Sequence, residues 1–135
     1  MSFKSSFKIG QVVSNKDIID EFKVGIMGGM RRSKRTNSLI LIADHTKALY
    51  DDKCHGNIFY YTGMGKEGDQ TLSSQNKTLA NSNENGVTIH FFEVFETTKY
   101  TYQGIVKLSG KPYQEEQKDV NDTIRKVWIF PLKKI

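Results

Sequence analysis

The sequence predicts an α+β domain built on a curved, barrel-like sheet with a few short helices, and three observations lead there. Roughly six runs rich in β-branched and aromatic residues are separated by polar or glycine-bearing turns. Only two segments read as helical, and both are short. At 135 residues the chain suits one domain with its own core and is too short for two of ordinary size.

In chain order, residues 7–13 read as an opening strand. Ser14 to Asp17 then supply an N-cap and an acidic residue for the first turn, predicting a short helix over 16–22. Residues 25–35 are glycine-rich and then basic, the composition of a loop whose backbone passes close to a partner. Ser38, Leu39, Ile40, Leu41 and Ile42 form a continuous apolar run, as expected of a strand buried on both faces. Residues 57–62 predict another strand and 66–70 an exposed turn. One or two helical turns are expected over 76–81, before the break at Asn83 to Gly86. Residues 87–95 and 100–108 read as an antiparallel pair joined by a polar loop, 119–122 as a polar turn, and 126–132 as a closing strand. With no repeat or linker in view, residues 1–135 are read as a single domain.

Charge is unevenly placed. Residues 1–35 carry eight basic and three acidic side chains, whereas the rest of the chain carries twelve of each, so the net +5 belongs to the N-terminal quarter. A localised basic surface attracts a polyanion, with strongly salt-dependent binding. Cys54 is the only cysteine, which excludes an internal disulfide and a cysteine-based zinc site. No apolar run is long enough to span a bilayer and residues 1–10 lack the apolar centre of a signal peptide, so a cytoplasmic protein without membrane contact is expected.

The most informative stretch is 50–65, which sets Tyr50, Asp51, Asp52, Tyr60 and Tyr61 around one short strand ending in Thr62, Gly63, Met64 and Gly65. Aromatic rings sandwich a planar base, a carboxylate accepts from its exocyclic amine, and backbone beside glycine approaches its edge. Side chains alternate on a strand, so one of the pairs Phe59/Tyr61 and Ile58/Tyr60 belongs to the core.

Three blocks of the chain resemble the SRA domain family (SET- and RING-associated, also called YDG), PUA-like modules that read modified cytosine in DNA. The first is Gly25 to Gly28 followed by Ser38 to Leu41. The second is Tyr50, Asp51 and Asp52 with His55, Gly56 and Asn57 and with Tyr61, Thr62 and Gly63. The third is Asn76 to Leu79, Asn81 and Ser82, with the segment 100–104. The resemblance covers about 10–132 and implies a non-catalytic reader that flips a 5-methyl or 5-hydroxymethyl cytosine out of duplex DNA. It implies Tyr50 and Tyr61 as the stacking plates, Asp52 (or Asp51) as the acceptor from the cytosine amine, and backbone at Thr62 and Gly63 against the pyrimidine edge. Such an acceptor favours cytosine over thymine, whose carbonyl would face it unpaired. Arg31, Arg32, Lys34 and Arg35 lie where the family inserts a loop into DNA, and Gln75, Asn76 and Lys77 are further candidates for backbone or groove contacts. The Tyr50 to Gly56 spacing is one residue shorter than the eukaryotic pattern, and the ten residues between Gly65 and Asn76 are too few for the long finger of some eukaryotic members. Compact domains of this kind are similar to N-terminal readers of bacterial modification-dependent restriction endonucleases, whose C-terminal HNH domain cuts. The chain is accordingly expected to be a fragment of such a protein, with room for a homodimer formed through regions outside it.

No cofactor or metal site is expected. His45, His55 and His90 are widely spaced and form no zinc-binding pattern. Two alternatives stand beside the reader: a small metal-dependent nuclease using Asp44, Asp51 or Asp52, and an RNA-binding PUA-like domain.

Overall fold

The computed structural model describes residues 5–25, 29–46, 53–65, 68–119 and 121–135. Among these, nine strands join in one sheet, in the order β2-β3-β6-β7-β9-β5-β4. These strands are β2 (Met30–Ser33), β3 (Ser38–Asp44), β6 (Thr88–Glu96), β7 (Lys99–Leu108), β9 (Ile124–Lys134), β5 (Ile58–Thr62) and β4 (Lys53–His55). Off this path, β1 (Val12–Val13) pairs with β7 and β8 (Tyr113–Lys118) with β9. Only β3 and β6 run parallel among the paired strands. The sheet curls into a half-barrel, the α+β architecture expected from the sequence.

The apolar run of β3 is explained by two cores, one on each face of the sheet. Leu39, Leu41 and Ala43 pack inside the curl with Ile89, Phe91, Val106, Phe130 and Leu132, while Ile40 and Ile42 pack outside with Phe92 and Val94. The outer face is covered by α1 (Asn15–Phe22), whose Ile18 and Phe22 lie one turn apart and are completely buried. Burial of such side chains stabilises by about 1.5–3 kcal/mol each. The helix starts where the sequence predicts, because Ser14 Oγ accepts from Asp17 N at 3.1 Å and Asp17 Oδ2 accepts from Ser14 N at 3.0 Å. On the inner face α2 (Ser74–Ala80) contributes Leu79.

One glycine sets which residues of β7 serve which core. Phe91 pairs with Gly104 but Phe92 pairs with Tyr102, leaving Gln103 as an extra residue at a bulge where Gly104 takes φ +94°. Side-chain alternation is thereby reset: Tyr102 joins the outer core, and Val106 and Leu108 join the inner one.

Several boundaries differ from the sequence reading. The expected strand over 7–13 is reduced to Val12–Val13, and part of the expected loop over 25–35 is β2, paired residue for residue with β3. Strands β4 and β8 were not expected at all; β8 has the sequence YQEEQK, too polar to show an apolar period, and forms by pairing along β9. Gln70, expected on an exposed turn, is buried.

Candidate nucleic-acid interface

The glycine-rich and basic segment 25–35 and the strand read over 57–62 meet where Gly29 reaches Tyr61. Its hydroxyl donates to the Gly29 carbonyl at 2.8 Å and lies 3.1 Å from the Ile42 carbonyl, so the glycine-rich segment, the end of β3 and β5 converge on one oxygen. A Cβ on Gly29 would come within 3.2 Å of that hydroxyl and 3.3 Å of Ile42 O, a tight fit that favours glycine. The ring is only 3 % exposed and stands edge-on to Phe91, at 6.4 Å between centroids. Tyr61, expected as a stacking plate, packs in the inner core and holds Gly29 in place. Thr62 is equally buried. Gly63 is committed internally, its N–H donating to Trp128 O at 2.8 Å and its carbonyl accepting from Gln70 Nε2 at 2.7 Å. Tyr50, Asp51 and Asp52 lie outside the described residues.

The turn after Gly63 is shaped by two buried amides. Asn76 Oδ1 accepts from Met64 N at 2.8 Å, while its Nδ2 donates to Met64 O at 3.1 Å and Thr71 O at 3.0 Å. Gln70 Oε1 accepts from Trp128 N at 2.9 Å. A Cβ at Gly63 would sit 2.7 Å from Asn76 Oδ1, which accounts for glycine there. Arg125, also buried, donates through Nη1 to the carbonyls of Gly65 and Gly68. Asp119 Oδ2 accepts from Gly68 N, and hydrogen bonds led by that from Thr123 N hold its carboxyl below the usual range. Asn76, expected at the DNA, is buried, and its three internal hydrogen bonds shape this loop. Nothing in the spacing distinguishes such an amide from a surface one.

The expected cation cluster is divided. Arg31 is 6 % exposed, donates to Asn15 Oδ1, and has its pKa lowered chiefly by burial, so it braces α1 against the sheet. Arg32 ties its own hairpin, donating to Ser33 O, to Ser38 O at 3.1 Å and to Asn37 Oδ1 at 2.9 Å. Lys34 and Arg35 are exposed in the β2–β3 turn. That turn lies at the opposite end of the hairpin from Gly29, four paired residues away, or roughly 13 Å at strand rise. On α2, Lys77 is exposed and Gln75 half-buried.

An open cleft lies elsewhere on the same signature stretch. Its volume is about 320 Å³, with Phe59, Phe91 and Leu132 among its apolar walls and Glu93, Lys133 and Lys134 supplying charge. Gly56 and Asn57, which begin the turn into β5, complete one side. The sequence reads residues 87–95 only as a strand; strand pairing sets Leu132 and Lys133 beside β5, and the curl of the sheet carries Phe91 and Glu93 of β6 across to them. Asp44, a candidate nuclease carboxylate, accepts through Oδ1 from Thr46 N at 2.9 Å.

Residues 9–135 match the family model described as ScoMcrA-like, SRA domain. No curated protein matches. Among solved structures, the sulfur binding domain and SRA domain of ScoMcrA complexed with phosphorothioated DNA align with a TM-score of 0.78 at 15 % identity, covering 96 % of this chain and 40 % of that one. The phosphorothioation-dependent restriction endonuclease ScoMcrA aligns at 0.79 and 16 % identity, with 96 % of this chain and 24 % of that one covered. The SUVH5 SRA domain with fully methylated CG DNA gives 0.72 at 16 % identity over 100 % and 94 %. The chain thus spans less than half the length of the two ScoMcrA chains and nearly all of the SUVH5 domain.

Proposed function

The chain belongs to the ScoMcrA-like SRA domain family, and on that premise we propose that it binds duplex DNA by flipping a 5-methyl or 5-hydroxymethyl cytosine into a pocket on the 50–65 stretch. The observation that carries this reading is the meeting of Gly29, β3 and β5 at Tyr61, together with an open, partly aromatic cleft lined by Phe59 on the same stretch. The flipped base gains roughly 1–3 kcal/mol from stacking, against a few kcal/mol for leaving the helix. A carboxylate acceptor at its amine distinguishes cytosine from thymine; Asp52 or Asp51 is the motif's candidate, with Tyr50 as an aromatic wall. Lys34, Arg35 and Lys77 are exposed cations suited to phosphates. The domain acts as the reader of a longer restriction protein, whose cutting is carried by another domain.

Fluorescence anisotropy with duplexes identical except for plain, 5-methyl or 5-hydroxymethyl cytosine tests the reading. At moderate salt a modified duplex is expected to bind at least about tenfold more tightly than the plain one, a difference of ~1.4 kcal/mol. Equal affinity for all three sinks the proposal, and preference for a phosphorothioated duplex instead moves recognition from base to backbone.

A further inference from the structure

The cleft beside Phe59 has a carboxylate that no motif assigns. Phe91, Glu93 and Phe95 alternate along β6, and the first two line the cleft. Phe59 and Phe91 rings lie 4.7 Å apart at the apolar wall. Glu93 is half-buried, with 17 % of its side chain exposed, and its Oε2 lies 2.7 Å from His45 Nε2. Among the described residues its Oε1 makes no hydrogen bond. At the end of the strand Phe95 is 60 % exposed and stacks on His45, with ring centroids 5.0 Å apart and planes 15° from parallel.

These features suit one occupant. The cleft volume falls at the small end of ligand pockets, a size for a single ring system. Its apolar wall takes a ring, and an anchored carboxylate with one oxygen to spare takes an N–H donor. Lys133 and Lys134 at the cleft bring positive charge for a phosphate, and the chain's net charge of +5 favours a polyanion as the source of that ring. A large exposed aromatic stacked on a histidine is a ready surface for a base at the mouth.

We propose that Glu93 is a specificity-determining carboxylate of the base pocket, accepting from the exocyclic amine of a cytosine seated against Phe59 and Phe91, with the Phe95–His45 stack as the platform at its mouth. The inference rests on the base-flipping reading and adds to it a second acidic reader outside the signature motif. His45 also keeps the carboxylate aimed.

The test is the affinity ratio between a duplex with one 5-methylcytosine and its plain counterpart, measured by anisotropy for the whole chain and for Glu93→Gln and Phe95→Ala. The plain duplex is bound with its cytosine still stacked and out of reach of Glu93, so Glu93→Gln, which keeps the side chain's size and removes its charge, weakens the modified duplex alone; the ratio is expected to fall about tenfold. Phe95→Ala, at a site exposed enough to leave the fold intact, is expected to weaken binding of the modified duplex by at least about fivefold. A Glu93→Gln protein that unfolds as the parent does and keeps the full ratio overturns the inference and leaves the base-flipping reading standing. A parent chain with no preference for the modified duplex overturns both.

Discussion

His90 shows how far one side chain departs from its unfolded chemistry. It is completely buried, its Nδ1 lies 2.8 Å from the Tyr102 hydroxyl, and its ring sits 4.7 Å from that of Phe22. Burial lowers its pKa to about 4 despite the opposing pull of Glu21, and burial raises that of Tyr102 to about 12. The unfolded chain therefore takes up a proton near pH 6.5 that the folded protein refuses until about 4. Stability from this group is complete above pH 6.5 and is lost on acidification towards 4, by about 3 kcal/mol in all. Urea midpoints measured across that range should fall with pH in the parent and lose most of this slope in His90→Gln. Three further residues show why a motif does not give a role. Tyr61, Arg31 and Asn76 have the residue types that DNA contact needs, yet each spends its polar atoms inside the protein. Burial decides between the two uses, and burial is a property of the fold.

Helix α1 and strand β3 were readable as elements because their signals are local. A capping box within four residues starts α1, and a seven-residue strand lying between two cores needs apolar side chains at both parities. The β2 and β8 strands were not, since their stability comes from pairing with neighbours rather than from their own apolar period. At this scale the bulge in β7 is the most exposed to substitution. Gly104 has φ +94°, and an added Cβ would stand 3.0 Å from Ile9 Cδ1. Gly104→Ala should destabilise by about 1–3 kcal/mol, because the strained backbone outweighs the small gain in the unfolded chain. Chemical denaturation reads the loss. If the bulge were incidental, the alanine would cost nothing.

Across the whole molecule, charge is separated in a way the linear count conceals. The exposed pair Lys34 and Arg35 lies at one end of the β2–β3 hairpin, whereas Lys133 and Lys134 border the cleft. Proposed phosphate contacts by the first pair predict a uniform effect: Lys34→Ala with Arg35→Ala should weaken plain and modified duplexes by the same factor. The slope of log affinity against log salt should flatten by about two, and anisotropy titrations over several salt concentrations check both. An unchanged slope would remove the pair from the interface. From sequence alone came the fold class, the helix α1 and the doubly buried strand β3. All of these follow from short-range periodicity, capping and residue order, which the chain carries wherever it goes. Only the tertiary structure assigned Tyr61, Asn76 and Arg31 to internal bonds and gathered Phe59, Phe91, Glu93 and Lys133 around one cleft. Pairing of β5 with β9 sets Phe59 near Lys133, and the curl of the sheet carries Phe91 and Glu93 of β6 across to them; both are long-range properties of the fold.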